Sequence, residues 1–317
     1  MRSTGKRARS RTRGRRVTAA SLAAGAVVAG YVTTSSAEAA PEAPTVAAKG
    51  AYLMDTGSGA KVFGKADSTR RQMASTTKVM TTAVVLDTPG LDLDRKVKIK
   101  QAYRDYVTRE GASTANLRTG DTVTVRQLLY ATLLPSGCDA AMALADTYGS
   151  GSTVSARTKS FISKMNKKAA ELGMTNTKFD SFDGISVAGD HYTTPKDLTK
   201  VARHALADAT FMKVVKTTTT KRNALKPDGT WRVYTWHNTN QLLGSYNGAI
   251  GIKTGTGTAA GRCLVFAAKR GERTLAGVIL NDEARYTDAA KLLDYGFGSD
   301  SAETMKLRKL PEGAQRD

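Results

Sequence analysis

The chain has 317 residues, enough to bury a substantial core without disulfide staples, and carries 48 lysines and arginines against 28 acids, a formal net charge of +20. Two cysteines far apart, with three scattered histidines and no ligand cluster, do not make a zinc site, so no metal and no cofactor is expected. The lysines are dispersed and aromatics few, which argues against a groove-reading or base-stacking nucleic-acid module.

The first sixteen residues hold eight basic residues and no acid. Val17 to Val32 is apolar and small, and Ala37-Glu38-Ala39 has the A-x-A form of a cleavage site. Residues 1–39 therefore read as a secretory signal peptide, with an uncleaved anchor as the alternative, and Arg15-Arg16 suggests the twin-arginine route. Without the leader the remainder carries about +13, a charge that suits an anionic membrane surface or wall polymers as neighbours.

Beyond the linker Pro41-Glu42-Ala43-Pro44, two short strands are predicted over 50–55 and 61–65, joined by the turn residues Thr56-Gly57-Ser58-Gly59. A buried helix follows, beginning in Ala74-Ser75-Thr76-Thr77-Lys78 and running through Val79 to Leu86 to a halt at Pro89-Gly90. From Leu91 the texture is charged and mainly helical. Val125 to Leu134 is an apolar helix stopped by Pro135, Asp139 to Ala145 starts another, and Ser136-Gly137-Cys138 fills the bend. Residues 155–172 place Thr158, Ile162, Met165, Ala169 and Leu172 on one stripe before Gly173, and Thr194-Pro195-Lys196-Asp197 is a helix start.

After Tyr246-Asn247-Gly248 the pattern returns to strands over 249–256, 262–269 and 274–280, and a last amphipathic helix holds Ala289, Leu292, Leu293 and Gly296. The fold class expected is α+β: an antiparallel sheet formed by both chain ends, flanked by helices, with a mainly helical domain inserted. The predicted boundaries are 40–90 with 246–300 for the sheet domain, 91–245 for the helical domain and 301–317 for a C-terminal tail.

Ser75 and Lys78 stand three apart, so a helix holds hydroxyl and amine as neighbours, and a desolvated ammonium loses its proton more readily. The pair suits an activated serine nucleophile. Alone it has little weight, because Ser3 with Lys6 and Ser58 with Lys61 repeat the spacing. Weight comes from order: serine and lysine on a buried helix, a serine in an interhelix bend, then Lys253-Thr254-Gly255 on a returning strand.

With those motifs, and with Glu171-Leu172-Gly173-Met174 and Asn240-Gln241-Leu242-Leu243, the chain from about Ala51 to Phe297 resembles the serine D-alanyl-D-alanine carboxypeptidases and transpeptidases, the low-molecular-mass penicillin-binding proteins. It departs from the S-x-N pattern at Cys138, where the family has asparagine, and in this looks most like the small actinomycete transpeptidases. A thiol cannot supply an amide's two donors and one acceptor. Cys138 is read as an unpaired residue lining the site, with a bridge to Cys263 as the alternative.

The resemblance implies Ser75 as nucleophile, Lys78 as base and Ser136 as proton relay to the leaving D-alanine. It implies that Lys253 and Thr254 receive the terminal carboxylate, and that the backbone amides of Ser75 and Thr256 form an oxyanion hole beside Gly255. Implied partners are the stem peptides of peptidoglycan and β-lactams as covalent inhibitors, and the implied location is the exported side of the membrane, in the wall or secreted. The alternatives are a β-lactamase, or a non-catalytic sensing or wall-binding protein on the same fold. Against the first, the only glutamate between Asp139 and Lys253 is Glu171, near a helix end.

Overall fold

The computed structural model describes residues 42–186 and 189–314, so the leader and its cleavage pattern lie outside the described residues. In chain order, the first half runs β1 (Gly50–Asp55), β2 (Lys61–Lys65), a 3₁₀ turn (Ala74–Thr77), α1 (Lys78–Leu86), β3 (Lys96–Lys98), α2 (Gln101–Glu110), β4 (Thr122–Thr124), α3 (Val125–Leu133), α4 (Cys138–Tyr148) and α5 (Val154–Glu171). The second half adds α6 (Pro195–Leu206), α7 (Ala209–Val215), β5 (Thr219–Leu225), β6 (Trp231–His237), β7 (Ala249–Gly257), β8 (Gly261–Arg270), β9 (Arg273–Leu280), α8 (Arg285–Phe297) and α9 (Ser301–Thr304).

Five strands form one antiparallel sheet in the order β2-β1-β9-β8-β7, so the two chain ends meet at the pairing of β1 with β9, Gly50 opposite Leu280 and Asp55 opposite Leu275. Strand β8 shows why these segments read as apolar runs. Leu264, Phe266 and Ala268 join the core under α8 with Leu292 and Leu293, while Val265 and Ala267 join the larger core shared with the helices. A sheet covered on both faces needs apolar side chains at every position.

Helix α1 is the axis of the larger core: every residue from Lys78 to Val85 is buried. Its neighbours begin where the sequence places them. Thr194 caps α6 by accepting from the Asp197 amide at 3.1 Å, with Pro195 at the first helical position, and Thr124 with Gln127 forms a reciprocal capping box on α3.

One expectation is corrected and one is extended. Ser75 stands on the 3₁₀ turn just ahead of α1 rather than in its first α-turn. The segment 91–245, read as mainly helical, also contains a second antiparallel sheet in the order β3-β4-β5-β6. Strands β3 and β4 have three residues each, too short to show alternation, and β5 is mostly polar with the charged pair Lys221-Arg222 near its middle, so periodicity had little to act on.

Candidate active site

The 3₁₀ turn and α1 bring the first pair together. Lys78 is fully buried, and its Nζ donates to Ser75 Oγ at 2.8 Å, to the Asp183 carbonyl at 3.1 Å and to Cys138 Sγ at 3.3 Å. All three partners are neutral groups, so the amine is fixed in direction rather than held in an ion pair. The turn itself is pinned from behind. His191, buried, meets the Thr77 hydroxyl at 2.6 Å, and that hydroxyl donates to the Ala74 carbonyl at 2.8 Å. Burial pushes the His191 imidazole below its ordinary pKa, against the pull of Asp180 and Asp183, which suits a positioning role.

The bend between α3 and α4 carries the second group. Ser136 has φ of +64°, is fully buried, and its Oγ meets no hydrogen-bond partner among the described residues. Strained backbone and an unpaired buried hydroxyl in one residue mark a functional position more readily than a packing one. Buried Asp139 fixes the facing loop by accepting from the amides of Ala115 and Leu117 and from the Thr114 hydroxyl. That loop presents Ser113, whose hydroxyl donates to the Ser136 carbonyl at 2.7 Å and lies 3.5 Å from Cys138 Sγ.

Strand β7 closes the third side. A Cβ built at Gly255 would stand 3.0 Å from the amide nitrogens of both Ser75 and Thr76, closer than nine in ten real Cβ contacts, so glycine lets the strand lie against the nucleophile's own backbone. Lys253 is buried, with Nζ donating to the Thr254 carbonyl at 2.9 Å. Thr254, expected to meet a substrate carboxylate, is instead buried with its hydroxyl 2.6 Å from that of Thr239. Thr256, two residues on, reaches the cleft.

The cleft has a volume of about 580 Å³ and is walled by Ser75, Cys138, Thr256, the loop around Ser113 and the segment Gly184-Ile185-Ser186. Lys78, Ser136 and Lys253 are buried and are not among the residues that line it. Both cysteines are free and buried, so the bridge alternative is set aside. Burial, with the Asp183 carboxylate, pushes the Cys138 thiol up to about 12, Lys78 and Ser113 partly opposing it.

The family pattern described as D-alanyl-D-alanine carboxypeptidase matches residues 37–284. The chain belongs to that family. It is 51% identical over 287 residues to the D-alanyl-D-alanine carboxypeptidase of Streptomyces sp. strain K15, covering 89% of this chain and 98% of the relative. A D-alanyl-D-alanine carboxypeptidase of Mycobacterium tuberculosis is 34% identical over 252 residues, 77% of this chain and 80% of that one. The crystal structure of the Streptomyces K15 DD-transpeptidase superposes with a TM-score of 0.80 at 54% identity, covering 81% of this chain and all of that one.

Within the family frame, three supporting residues escaped the sequence reading. Asp183 holds Lys78 through its carbonyl, while its carboxylate accepts from Tyr106 at 2.8 Å and Ser181 at 2.7 Å. Its one sequence mark is the turn pair Asp183-Gly184, and Gly184 is needed because a Cβ there would lie 1.9 Å from the Ala74 carbonyl. Arg285, at the start of α8, donates to the Gly255 carbonyl and the Thr256 hydroxyl, each at 3.0 Å. His191 is the third. Each is joined to the motifs only by long-range packing, which single-sequence patterns do not carry.

Proposed function

We propose that this protein is a penicillin-binding serine peptidase that cleaves D-Ala-D-Ala ends of peptidoglycan stem peptides through an acyl-enzyme on Ser75. The observation that carries it is the 2.8 Å contact from Lys78 Nζ to Ser75 Oγ, made at a fully buried lysine beside a strand that lies on the Ser75 backbone.

Ser75 Oγ attacks the carbonyl carbon of the penultimate D-alanine while Lys78, in its amine form, takes the hydroxyl proton. Charge developing on the carbonyl oxygen falls to the backbone amides of Ser75 and Thr256, and the loss of one such donor typically costs about 2.7–4 kcal/mol. The C–N bond then breaks, a proton passes through Ser136 to the leaving nitrogen, and free D-alanine departs. Lys253 supplies positive charge for the terminal carboxylate. Thr256, which lines the cleft, takes the contact expected of Thr254, whose hydroxyl is engaged by Thr239. Water attacking the ester completes a carboxypeptidase cycle, and an amine attacking it completes a transpeptidase cycle.

Exported placement against an anionic membrane surface or wall polymers follows from the leader pattern and the basic remainder. No helix among the described residues is long and apolar enough to cross a membrane. The test is incubation with an N-acylated D-alanyl-D-alanine peptide, with and without a glycine-like amine, counting both products. No D-alanine release in either condition overturns the reading.

A further inference from the structure

The C-terminal tail, described from residue 301 to residue 314, lies beyond the family pattern, whose match ends at residue 284. After α9 it has no regular structure, and Lys306, Leu307 and Lys309 are exposed, so packing of these neighbours does not hold it down. The anchor is Arg308, which bonds to the connector carrying the chain from β6 to β7. Its amide donates to Ser245 Oγ at 2.7 Å, and its carbonyl accepts from Gln241 Nε2 at 2.8 Å. Its guanidinium donates to the carbonyls of Asn238 at 2.7 Å, Leu243 at 2.9 Å and Asn240 at 3.0 Å.

No carboxylate stands among these partners, so the guanidinium serves the turn rather than an ion pair. Asn238 and Asn240 are buried, and a buried carbonyl left without a donor is costly. A planar fork with fixed N–H directions suits converging carbonyls, and its charge strengthens each bond. The carbonyls of Asn238 and Asn240 flank Thr239. That residue is itself buried, with its hydroxyl 2.6 Å from that of Thr254 and its carbonyl accepting from Tyr286 at 3.0 Å. Lys253 Nζ reaches the same Thr254 hydroxyl at 3.4 Å. The tail thus grips both neighbours of the residue that holds the middle of the Lys253-Thr254-Gly255 strand. Its end reaches the opposite wall, where Gly313 and Ala314 line a cavity of about 180 Å³ with Thr114, Asn116 and His237.

We propose that Arg308 is a positioning residue of the active site: the C-terminal tail straps the 238–245 connector so that Thr239 fixes Thr254, keeping Lys253 and Thr256 in place for the substrate's terminal carboxylate. The proposal rests on the peptidase reading and adds a residue outside the matched pattern to that site.

The experiment compares R308A, R308K and the exposed-neighbour controls L307A and K309A in the chain from Pro41 onward, one compact unit. Two substrates are used, an N-acylated D-alanyl-D-alanine peptide and an N-acyl-D-alanyl thiol ester whose leaving group carries no carboxylate. R308A should lose at least about fivefold in kcat/KM on the peptide, chiefly through KM, and less than about twofold on the thiol ester. R308K, which keeps the charge but not the fork, should show the same selectivity with a smaller loss, and it carries the comparison if R308A does not fold. Amide hydrogen exchange over 238–246 should quicken by at least about tenfold in R308A while α1 stays protected. The proposal is overturned if the peptide is turned over as by the parent, or if both substrates lose equally in step with Tm. It is also overturned if L307A or K309A reproduces the loss, or if exchange over 238–246 is unchanged. A parent that releases no D-alanine sinks the peptidase reading instead, and the exchange data then decide on the strap by themselves.

Discussion

Cys138 Sγ lies 3.3 Å from Lys78 Nζ, so the residue at which this chain departs from its family pattern touches the residue proposed as its base. The departure is therefore made where proton transfer is governed, not at the rim of the cleft.

A labelled penicillin is expected to acylate Ser75 and to stay bound for minutes or longer. Glu171 is far from the task, half exposed and paired with Lys168 at 2.7 Å. The one carboxylate among the described residues lining the cleft, Glu110, is engaged by Arg109 at 2.8 Å. Both carboxylates are thus engaged by a neighbouring cation, and Glu171 does not line the cleft. Peptide mapping of the label and its rate of loss check this, and turnover in seconds would restore the β-lactamase alternative.

Lys78→Ala and Ser136→Ala should keep the fold by circular dichroism yet acylate at least about a hundredfold more slowly, the scale of a lost proton-transfer group. Ser136 is the sharper test, since its hydroxyl makes no hydrogen bond with Lys78 in the structure. If Ser136→Ala acylates normally but releases D-alanine from peptide slowly, its role is confined to the leaving group.

The motifs, their order and the five-stranded sheet were legible because each depends on local pattern: a hydroxyl and an amine three apart, a bend before Asp139, apolar strand runs. What stayed hidden depends on distant partners. The Asp183 carbonyl that orients Lys78 is 105 positions away, and the Arg285 guanidinium behind Gly255 is 30 positions away. The engagement of the Thr254 hydroxyl was hidden for a related reason, because alternation along a strand does not tell which hydroxyl a neighbour such as Thr239 will claim.

Gly184→Ala tests the hidden contact. Its φ of +99° strains any side chain, and the added carbon would enter the Ala74 carbonyl at 1.9 Å. A loss of at least about 2 kcal/mol is expected, read as a drop in Tm of roughly 5 °C or more, with slowed acylation because Ala74 adjoins Ser75.

Stability should also depend on Asp282, which is buried with Oδ2 unpartnered. Burial, with nearby Asp288, raises its carboxyl to about 6, against a donated bond from the Ala284 amide. Because the folded pKa lies above the unfolded one, this contribution is full below about pH 4 and is lost as pH rises through 6. Asp282→Asn should therefore stabilise the protein at pH 7–8 by about 1–2 kcal/mol and flatten the profile between pH 4 and 6.5 in denaturant titrations.

Cys138 is open to a direct chemical test. The thiol lines the cleft yet is almost wholly buried, and burial holds its pKa up to about 12, so the reactive thiolate is scarce at neutral pH. A bulky thiol reagent should thus block acylation slowly, faster at higher pH, and prior acylation by penicillin should protect the site. Cys263 is also buried, with its pKa pushed up to about 11, but it is not among the residues lining the cleft. Cys138→Ala should therefore abolish the inhibition while Cys263→Ala preserves it. Cys138→Asn restores an amide with two donors and an acceptor beside Lys78. If that amide steers the acceptor, product should move from transpeptidation toward hydrolysis, measured as the ratio of free acid to amide-transfer product at fixed amine. An unchanged ratio would remove Cys138 from acceptor choice and leave it a packing residue of the Lys78 pocket.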